Sequence, residues 1–511
     1  MIKVMILGNS PLPFENEKKL SALGKRTWQL TKPLIDDGHE VCLVCMRVPD
    51  AYEQKDLQDL IVKKKKNFLY YSLSEDEFRK QKSLLNIYND FLPDCIVSTN
   101  IFPCYRAVNL GVEKPLWADL FGHAMAEAQA KAAVDKSNEF LYSYWNQEKN
   151  IIEKADVFSY VSNPQLLATI GELGTIGRLN RFTNEYEFGY LIQNGIIDED
   201  FTHDKKVVRG KLVEEDDFVI LWSGGYNTWC DIDTLFKALI EAMEVNKKIK
   251  FVSTGGEIKG QDEKTYPHFL NLIINSKFPQ NFIMKGWIPT EDIKNYYLEA
   301  DVGINIDKNI HEVRLGCKMR ILDWLRAGLP VLTTKVCELS QIINRENIGF
   351  TFKPKDISEL KQRILWMASN KDDIHKIGIK GKEYAFKNLN YNVTTKPLRE
   401  WVKNPLFAPD RGKIKRFDKE KDTHISYLEK LAKERYDDAV KAHEETKKAH
   451  KVLEDLNKYV KEMEEVIKTR DIELEETRDR IKELEAFSDR IQKTIPYKIY
   501  SFIKKFFKNL K

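Results

Sequence analysis

The chain has no run of 18 apolar residues, so no stretch of it reads as a membrane-spanning helix. It has no dominant charge either: 82 Lys and Arg meet 78 Asp and Glu, a formal net charge of +4. A general nucleic-acid coat protein carries a basic excess, so no nucleic-acid partner is expected. Cysteine is scarce, seven in 511 residues, odd in number and scattered. That argues against a disulfide framework and for a reducing compartment. Cys42 and Cys45 have C-x-x-C spacing, but they sit inside the apolar run HEVCLVCM and read as small core residues. No metal-ligand spacing stands out, and no metal is expected. The opening MIKVMILGNS has too short an apolar run, and no small-residue cleavage pattern, for a signal peptide. A cytoplasmic protein is the expectation.

What is present is a long alternation of short β runs and helical segments. Residues 1–8, 39–47, 94–99, 116–120 and 157–162 read as strands, and 25–37 as an amphipathic helix ending at Gly38. The theme repeats with strands at 217–223, 249–254, 282–285, 302–306 and 330–333. Strand–helix–strand alternation implies parallel sheets covered on both faces. The expected fold is α/β, with two doubly wound Rossmann-like domains (1–210 and 211–385) facing a cleft. Ligands of such folds sit beyond the carboxyl ends of the strands. Residues 386–412 are expected to be a returning helix and linker, with helix over 384–402.

Residues 413–495 contain no glycine and no proline. Apolar residues recur there in heptads, with Leu453, Val460, Ile467, Leu474 and Ile481 at a and Leu428, Leu456, Met463, Leu484 and Ile491 at d. This predicts a coiled coil and self-association. Arg470 and Thr477 interrupt the d row, and a single solvated helix is the alternative. In residues 496–511, Ile499, Phe502, Ile503, Phe506, Phe507 and Leu510 fall on one helical face. Lys498, Lys505 and Lys508 fall opposite, with Lys504 and Lys511 at the flanks. That pattern fits a helix lying in an anionic membrane surface, with packing on another protomer as the alternative. The expected location is therefore peripheral, on the inner face of the cell membrane.

The most informative stretch is 285–334, KGWIPTEDIKNYYLEADVGINIDKNIHEVRLGCKMRILDWLRAGLPVLTT. It runs from Gly286-Trp287 through a helix and strand to a second helix bearing Asp323, then Gly328-Leu329-Pro330. It resembles the donor-nucleotide site of the GT-B glycosyltransferases, especially the group 1 (family 4) enzymes. The resemblance covers about residues 1–405 and is weakest over 50–115. It implies a nucleotide-sugar donor as co-substrate, no resident cofactor and a glycan or lipid-linked acceptor. It also implies retention of anomeric configuration and a role in cell-surface polysaccharide synthesis.

The resemblance assigns Asp323 to the ribose hydroxyls and Arg320 and Lys318 to the diphosphate. The family often has Glu-x7-Glu; here the first position is Leu315, and Glu312 is the nearest acid. Trp287 falls where the family receives the nucleobase. Gly224 and Gly225 follow a strand, where glycines let backbone N–H groups approach a phosphate. Gly24 stands in a loop expected to approach donor or acceptor. His123, just past the 116–120 strand, is the expected sugar or proton contact, with Asp119 orienting it. Two other readings stay open: a nucleotide-sugar epimerase, and a non-catalytic scaffold assembled through its coiled coil.

Overall fold

A computed structural model describes all residues except 16, 18, 49, 50, 55, 56, 414–418, 510 and 511, and leaves the side chains of 419–422 and 495 undescribed. The chain divides into two compact units, Met1–Phe417 and Asp418–Lys511.

The first unit holds two sheets. The N-terminal sheet comprises β1 (Lys3–Ser10), β2 (Glu40–Arg47), β3 (Leu60–Lys65), β4 (Phe68–Leu73), β5 (Cys95–Thr99), β6 (Leu116–Leu120), β7 (Val157–Tyr160) and β8 (Gly189–Leu191). Its order is β3-β4-β2-β1-β5-β6-β7-β8. Among the described residues only the β3–β4 pair of this sheet is antiparallel. The second sheet comprises β9 (Phe218–Ser223), β10 (Ile249–Thr254), β11 (Phe282–Met284), β12 (Val302–Asn305), β13 (Val331–Thr334) and β14 (Phe350–Phe352). Its order is β11-β10-β9-β12-β13-β14, parallel throughout. β1, β2 and β9 are buried almost end to end, the mark of strands covered on both faces. In each sheet the order reverses beside the first strand, between β1 and β5 and between β9 and β12. Those are the switch points where such sheets bind ligands.

Every strand expected from the pattern forms, within one to three residues at its ends. The β3–β4 hairpin, which the sequence reading did not anticipate, presents Lys63, Lys64 and Lys65 to solvent on the sheet's edge, a charge row that blunts edge pairing. The single helix expected over 384–402 is instead three: Lys371–Asn388, Tyr391–Thr394 and Lys396–Lys403. Asn390 caps the middle one through Val393 N–H, and Pro397 opens the last, where its missing N–H costs nothing. Leu398 and Val402 then enter the core of the N-terminal domain, with Trp401 set 5.5 Å from Trp117.

Beyond that helix the chain is fastened by Arg178, whose Nε and Nη2 both reach Asp410 at 3.0 Å. Arg178 is 2% exposed and Asp410 0%, and Nη1 also donates to the carbonyls of Ile152 and Ala155. The second unit is the helix Lys419–Lys493 followed by Ile495–Lys508. No helix among the described residues is long and apolar enough to cross a membrane.

Removing one partner of a buried pair strands the other charge. Asp410→Ala is expected to lower unfolding free energy by about 3–5 kcal/mol, read from urea transitions of the full chain. Asp410→Glu should recover part of it.

Candidate active site

The carboxyl edge of the second sheet carries four loops in sheet order. Trp287 follows β11, Gly255-Gly256 follow β10, Gly224-Gly225 follow β9, and Asp307 follows β12. Gly224 has φ +87°, which a side chain would strain, and a Cβ on Gly255 would lie 1.8 Å from the Gly224 carbonyl oxygen. Both glycine pairs are therefore needed for two loops to touch. Trp287 covers them: its Nε1 donates to the Glu257 carbonyl at 3.1 Å, and a Cβ on Gly225 would lie 3.5 Å from its ring. Gly255 and Gly256 were not singled out from the sequence, although they stand past a strand just as Gly224-Gly225 do.

Arg320 lies at the start of the helix Met319–Ala327. Its guanidinium covers the Trp222 ring at 4.2 Å, and Nη2 donates to the Gly225 carbonyl at 2.7 Å. Nη1 is buried with no hydrogen-bond partner among the described residues. A buried guanidinium N–H left open beside a glycine loop suits a phosphate oxygen. Lys318 is different. Its Nζ is bonded to both Glu312 oxygens at 3.1 and 3.2 Å and lies 4.4 Å from the centre of the Trp229 ring. Burial, working against the Lys318 and in company with the Asp307 charge, pushes the Glu312 carboxyl up to about 7. The expectation that Lys318 serves the diphosphate alongside Arg320 is thus corrected, because Lys318 already has a counterion. Leu315, at the missing acid's position, instead uses its carbonyl to accept from Ser162 Oγ of the N-terminal domain at 2.5 Å.

Asp323 faces the cleft and is met from the other domain by Lys25 at 2.5 Å. Lys25 was not picked from the sequence; its neighbour Gly24 was. Gly24 needs correction. A Cβ there would lie 1.9 Å from the Pro11 carbonyl oxygen, and its N–H is held by the helix cap Ser21. Gly24 lets the helix Ala22–Asp36 approach the loop after β1, and the residue beside it reaches the cleft.

Asp119 also needs correction. It is 0% exposed, takes Arg26 Nη2 at 2.6 Å and Nε at 2.9 Å, and accepts from Ser159 Oγ at 2.6 Å. All of this is structural and none of it touches His123. The carboxylates that orient His123 come from elsewhere: Glu172, 3.0 Å from Nε2, and Glu148, 3.7 Å from Nδ1. His123 caps the helix Ala124–Asp135, its Nδ1 accepting from Ala126 N–H at 3.3 Å. Burial disfavours the imidazolium, but Glu172 and Glu148 outweigh it, and the pKa lies above 6.5. Burial and the neighbouring Glu172 push Glu148 up to about 7. The ligand atoms of His123, Glu148 and Glu172 lie within 4.8 Å of one another, as a metal would require. Glu148, however, spends both oxygens on the N–H groups of Ala124 and Met125 at 3.1 and 3.2 Å, so the cluster reads first as a helix cap.

One turn later that helix meets the loop after β10 of the second sheet. Glu127 accepts from Gln261 at 2.9 Å, and Lys131 donates to the Gly260 carbonyl at 3.4 Å. Glu127 is the cleft acid the sequence reading missed; nothing marks it within an alanine-rich helix.

Residues 217–370 match the family described as Glycosyl transferases group 1. No curated protein matches the sequence closely enough to count as a relative. Among solved structures, sucrose-phosphate synthase from Thermosynechococcus elongatus is similar, with a TM-score of 0.60 and 14% identity over 79% of this chain and 98% of that one. The Anabaena protein HepE, in complex with UDP and glucose, gives 0.54 and 13% over 79% and 100%. An alpha,alpha-trehalose-phosphate synthase (UDP-forming) from Burkholderia xenovorans, in complex with glucose-6-phosphate, gives 0.54 and 10% over 79% and 100%. Such identities establish the fold. The GT-B fold and the group 1 glycosyltransferase segment expected from the sequence are both borne out.

Glu148 and Glu312, held near 7 against an ordinary 4.5, keep protons in the folded chain that the unfolded chain has lost. Folding stability is therefore expected to fall as pH rises from about 4.5 to about 7. Thermal melts across that window should show a shallower fall for Glu148→Gln and Glu312→Gln than for the unaltered chain.

Proposed function

We propose that this glycosyltransferase moves a sugar from a nucleotide diphosphate to a hydroxyl of a glycan or lipid-linked acceptor, with retention, in cell-surface polysaccharide synthesis. The observation that carries the reading is Arg320: an open buried guanidinium N–H at the β9/β12 switch point, against Gly225, with Asp323 one turn along the same helix. Trp287 offers its ring beside the glycine loops for the base, and Asp323 its carboxylate for the ribose hydroxyls.

In the transfer, the bond from the sugar's anomeric carbon to the diphosphate oxygen breaks. A bond from the acceptor oxygen forms, and the acceptor hydroxyl's proton passes to an oxygen of the departing diphosphate. Charge grows on the departing diphosphate, and the pre-set cation Arg320 stabilises it with no reorganisation at the moment of reaction. Lys25 joins it once the donor's ribose takes Asp323. In this reading local cations, rather than a resident metal, meet the diphosphate charge. UDP-complexed and UDP-forming neighbours with the same fold support a nucleotide donor.

The second unit supports a place of work. Nearly every described side chain of Lys419–Lys493 is exposed, including Leu453 at 61%, Ile467 at 56% and Leu484 at 57%. That stripe favours self-association. In Ile495–Lys508, Phe502 is 72% exposed and Phe507 67%, opposite the lysines. Such a helix suits an anionic membrane surface. Leu510 and Lys511 lie outside the described residues.

Asp323→Ala should lower kcat/KM by roughly 10–100-fold, the worth of hydrogen bonds to a charged group. Arg320→Met should lower kcat by about 100-fold or more. Failure of the unaltered chain to bind any nucleotide sugar at millimolar concentration would overturn the reading. For the tail, a chain ending at Thr494 should stay in the supernatant with anionic vesicles that sediment the full chain. Equal sedimentation of both would remove the membrane role.

A further inference from the structure

Beyond the diphosphate, on the side away from Trp287, the cleft is lined by acids. In sheet order the base loop follows β11, the glycine loops follow β10 and β9, and Asp307 follows β12. Continuing in that direction from the phosphates, a donor's sugar meets Asp307 and then Glu312 with its partner Lys318. Glu127 closes the same space from the N-terminal domain, on the helix Ala124–Asp135, tied across the cleft by Gln261 at 2.9 Å.

Three carboxyl groups thus face the Lys318 ammonium, with Lys131 beside Glu127 toward the cleft's edge and Lys308, next to Asp307, turned to the Thr228 carbonyl at 2.8 Å. The groups feel one another: Asp307 and Glu127 both act on Glu312, and Lys318 acts on Glu127. Asp307 is 2% exposed. Its Oδ2 accepts from Asn305 at 2.6 Å, but its Oδ1 is buried with no hydrogen-bond partner among the described residues. Lys318 cannot serve a new anion cheaply. It is held by both oxygens of Glu312 and by the Trp229 ring, and taking it away would leave Glu312 buried and unpaired.

We infer that the sugar end of the donor site, formed by Asp307, Glu312 and Glu127, selects an uncharged, hydroxyl-rich sugar and rejects a hexuronate. Above about pH 7, where Glu312 has lost its proton, the carboxylates accept hydrogen bonds and donate none, so each is satisfied by a sugar hydroxyl, and the comparison is made at pH 8. A sugar carboxylate in the same place would meet acceptors of its own charge, while Lys318 is held by Glu312, Lys308 by the Thr228 carbonyl at 2.8 Å and Lys131 by the Gly260 carbonyl at the cleft's edge. This inference rests on the donor reading above and names its substrate class.

The test starts with the full chain and free UDP, GDP and ADP, followed by thermal stabilisation and titration calorimetry. The diphosphate that binds fixes the base. The nucleotide-hexose and nucleotide-hexuronate of that base, matched in stereochemistry, are then compared. The hexuronate is expected to bind at least about 100-fold more weakly than the hexose. Glu127→Gln and Asp307→Asn should each narrow that gap by about tenfold while leaving the affinity for the free diphosphate unchanged. Glu127→Gln keeps a partner for Gln261, and unaltered binding of the free diphosphate serves as the check that each variant is folded. A hexuronate that binds as well as the hexose overturns the inference, as does a gap unchanged in both variants. If none of the three diphosphates binds, the donor reading itself falls, and the inference with it.

Discussion

The cleft is organised by an ion pair set back within the core. Arg26 and Asp119 are fully buried and doubly bonded, and Arg26 also reaches Gln29 at 3.0 Å, the Gln193 carbonyl at 3.4 Å and Asn194 at 3.3 Å. One guanidinium therefore joins the helix Ala22–Asp36, the end of β6 and the crossing into the second domain. Desolvating such a pair is expensive, and it endures only because every donor finds an acceptor. Its consequence is directional. With Arg26 pinned inward, Lys25, the preceding residue on the helix, points across the cleft to Asp323.

The two sides of the cleft are electrostatically unlike. The donor side holds its cations in aromatic settings, Arg320 over Trp222 and Lys318 over Trp229, which shield their charge from water while leaving Arg320 one open N–H. The N-terminal side contributes Lys25 toward Asp323 and Glu127 toward Gln261, which the proposed donor reading places at the ribose and the sugar. Charge of both signs is thus sorted along the line a donor would occupy. His123, which the sequence made a candidate for the chemistry, caps the helix Ala124–Asp135. With Glu148 and Glu172 it holds the first turn of the helix that carries Glu127. A perturbed histidine near an active site can act by aiming a neighbouring element.

The central strands were legible because their signal is local, apolar runs between turn signals, whereas β3, β4, β8 and β14 toward the sheet edges were not anticipated. The placement of Asp323 and Arg320 on one helix at the cleft was legible because one short segment carries strand, helix and stop together. Asp119 misled for the opposite reason. Its place at the carboxyl edge of β6 matched a catalytic position, but its partner Arg26 lies 93 residues away and no local pattern announces it. Glu148 and Glu172 were hidden likewise, reaching His123 from two other helices. Gly24 illustrates a further limit, since a glycine in a loop looks the same whether a ligand or the Pro11 carbonyl needs the space.

The long helix can be weighed by magnitude. At 1.5 Å per residue its 75 residues extend about 110 Å. About ten large apolar side chains lie half exposed along one stripe, each worth roughly 1.5–3 kcal/mol when fully buried. Pairing two such stripes recovers on the order of 20 kcal/mol before costs, against an association penalty of about 4–15 kcal/mol. The margin is positive but modest, and Arg470 and Thr477 in the d row reduce it further. Self-association of that strength responds to local concentration. Once two chains pair, two basic amphipathic helices belong to one particle, and the second meets a surface at the effective concentration set by the first. In the proposed arrangement each helix would need to bind only weakly, since surface and partner would reinforce one another, and a marginal coiled coil would then be sufficient.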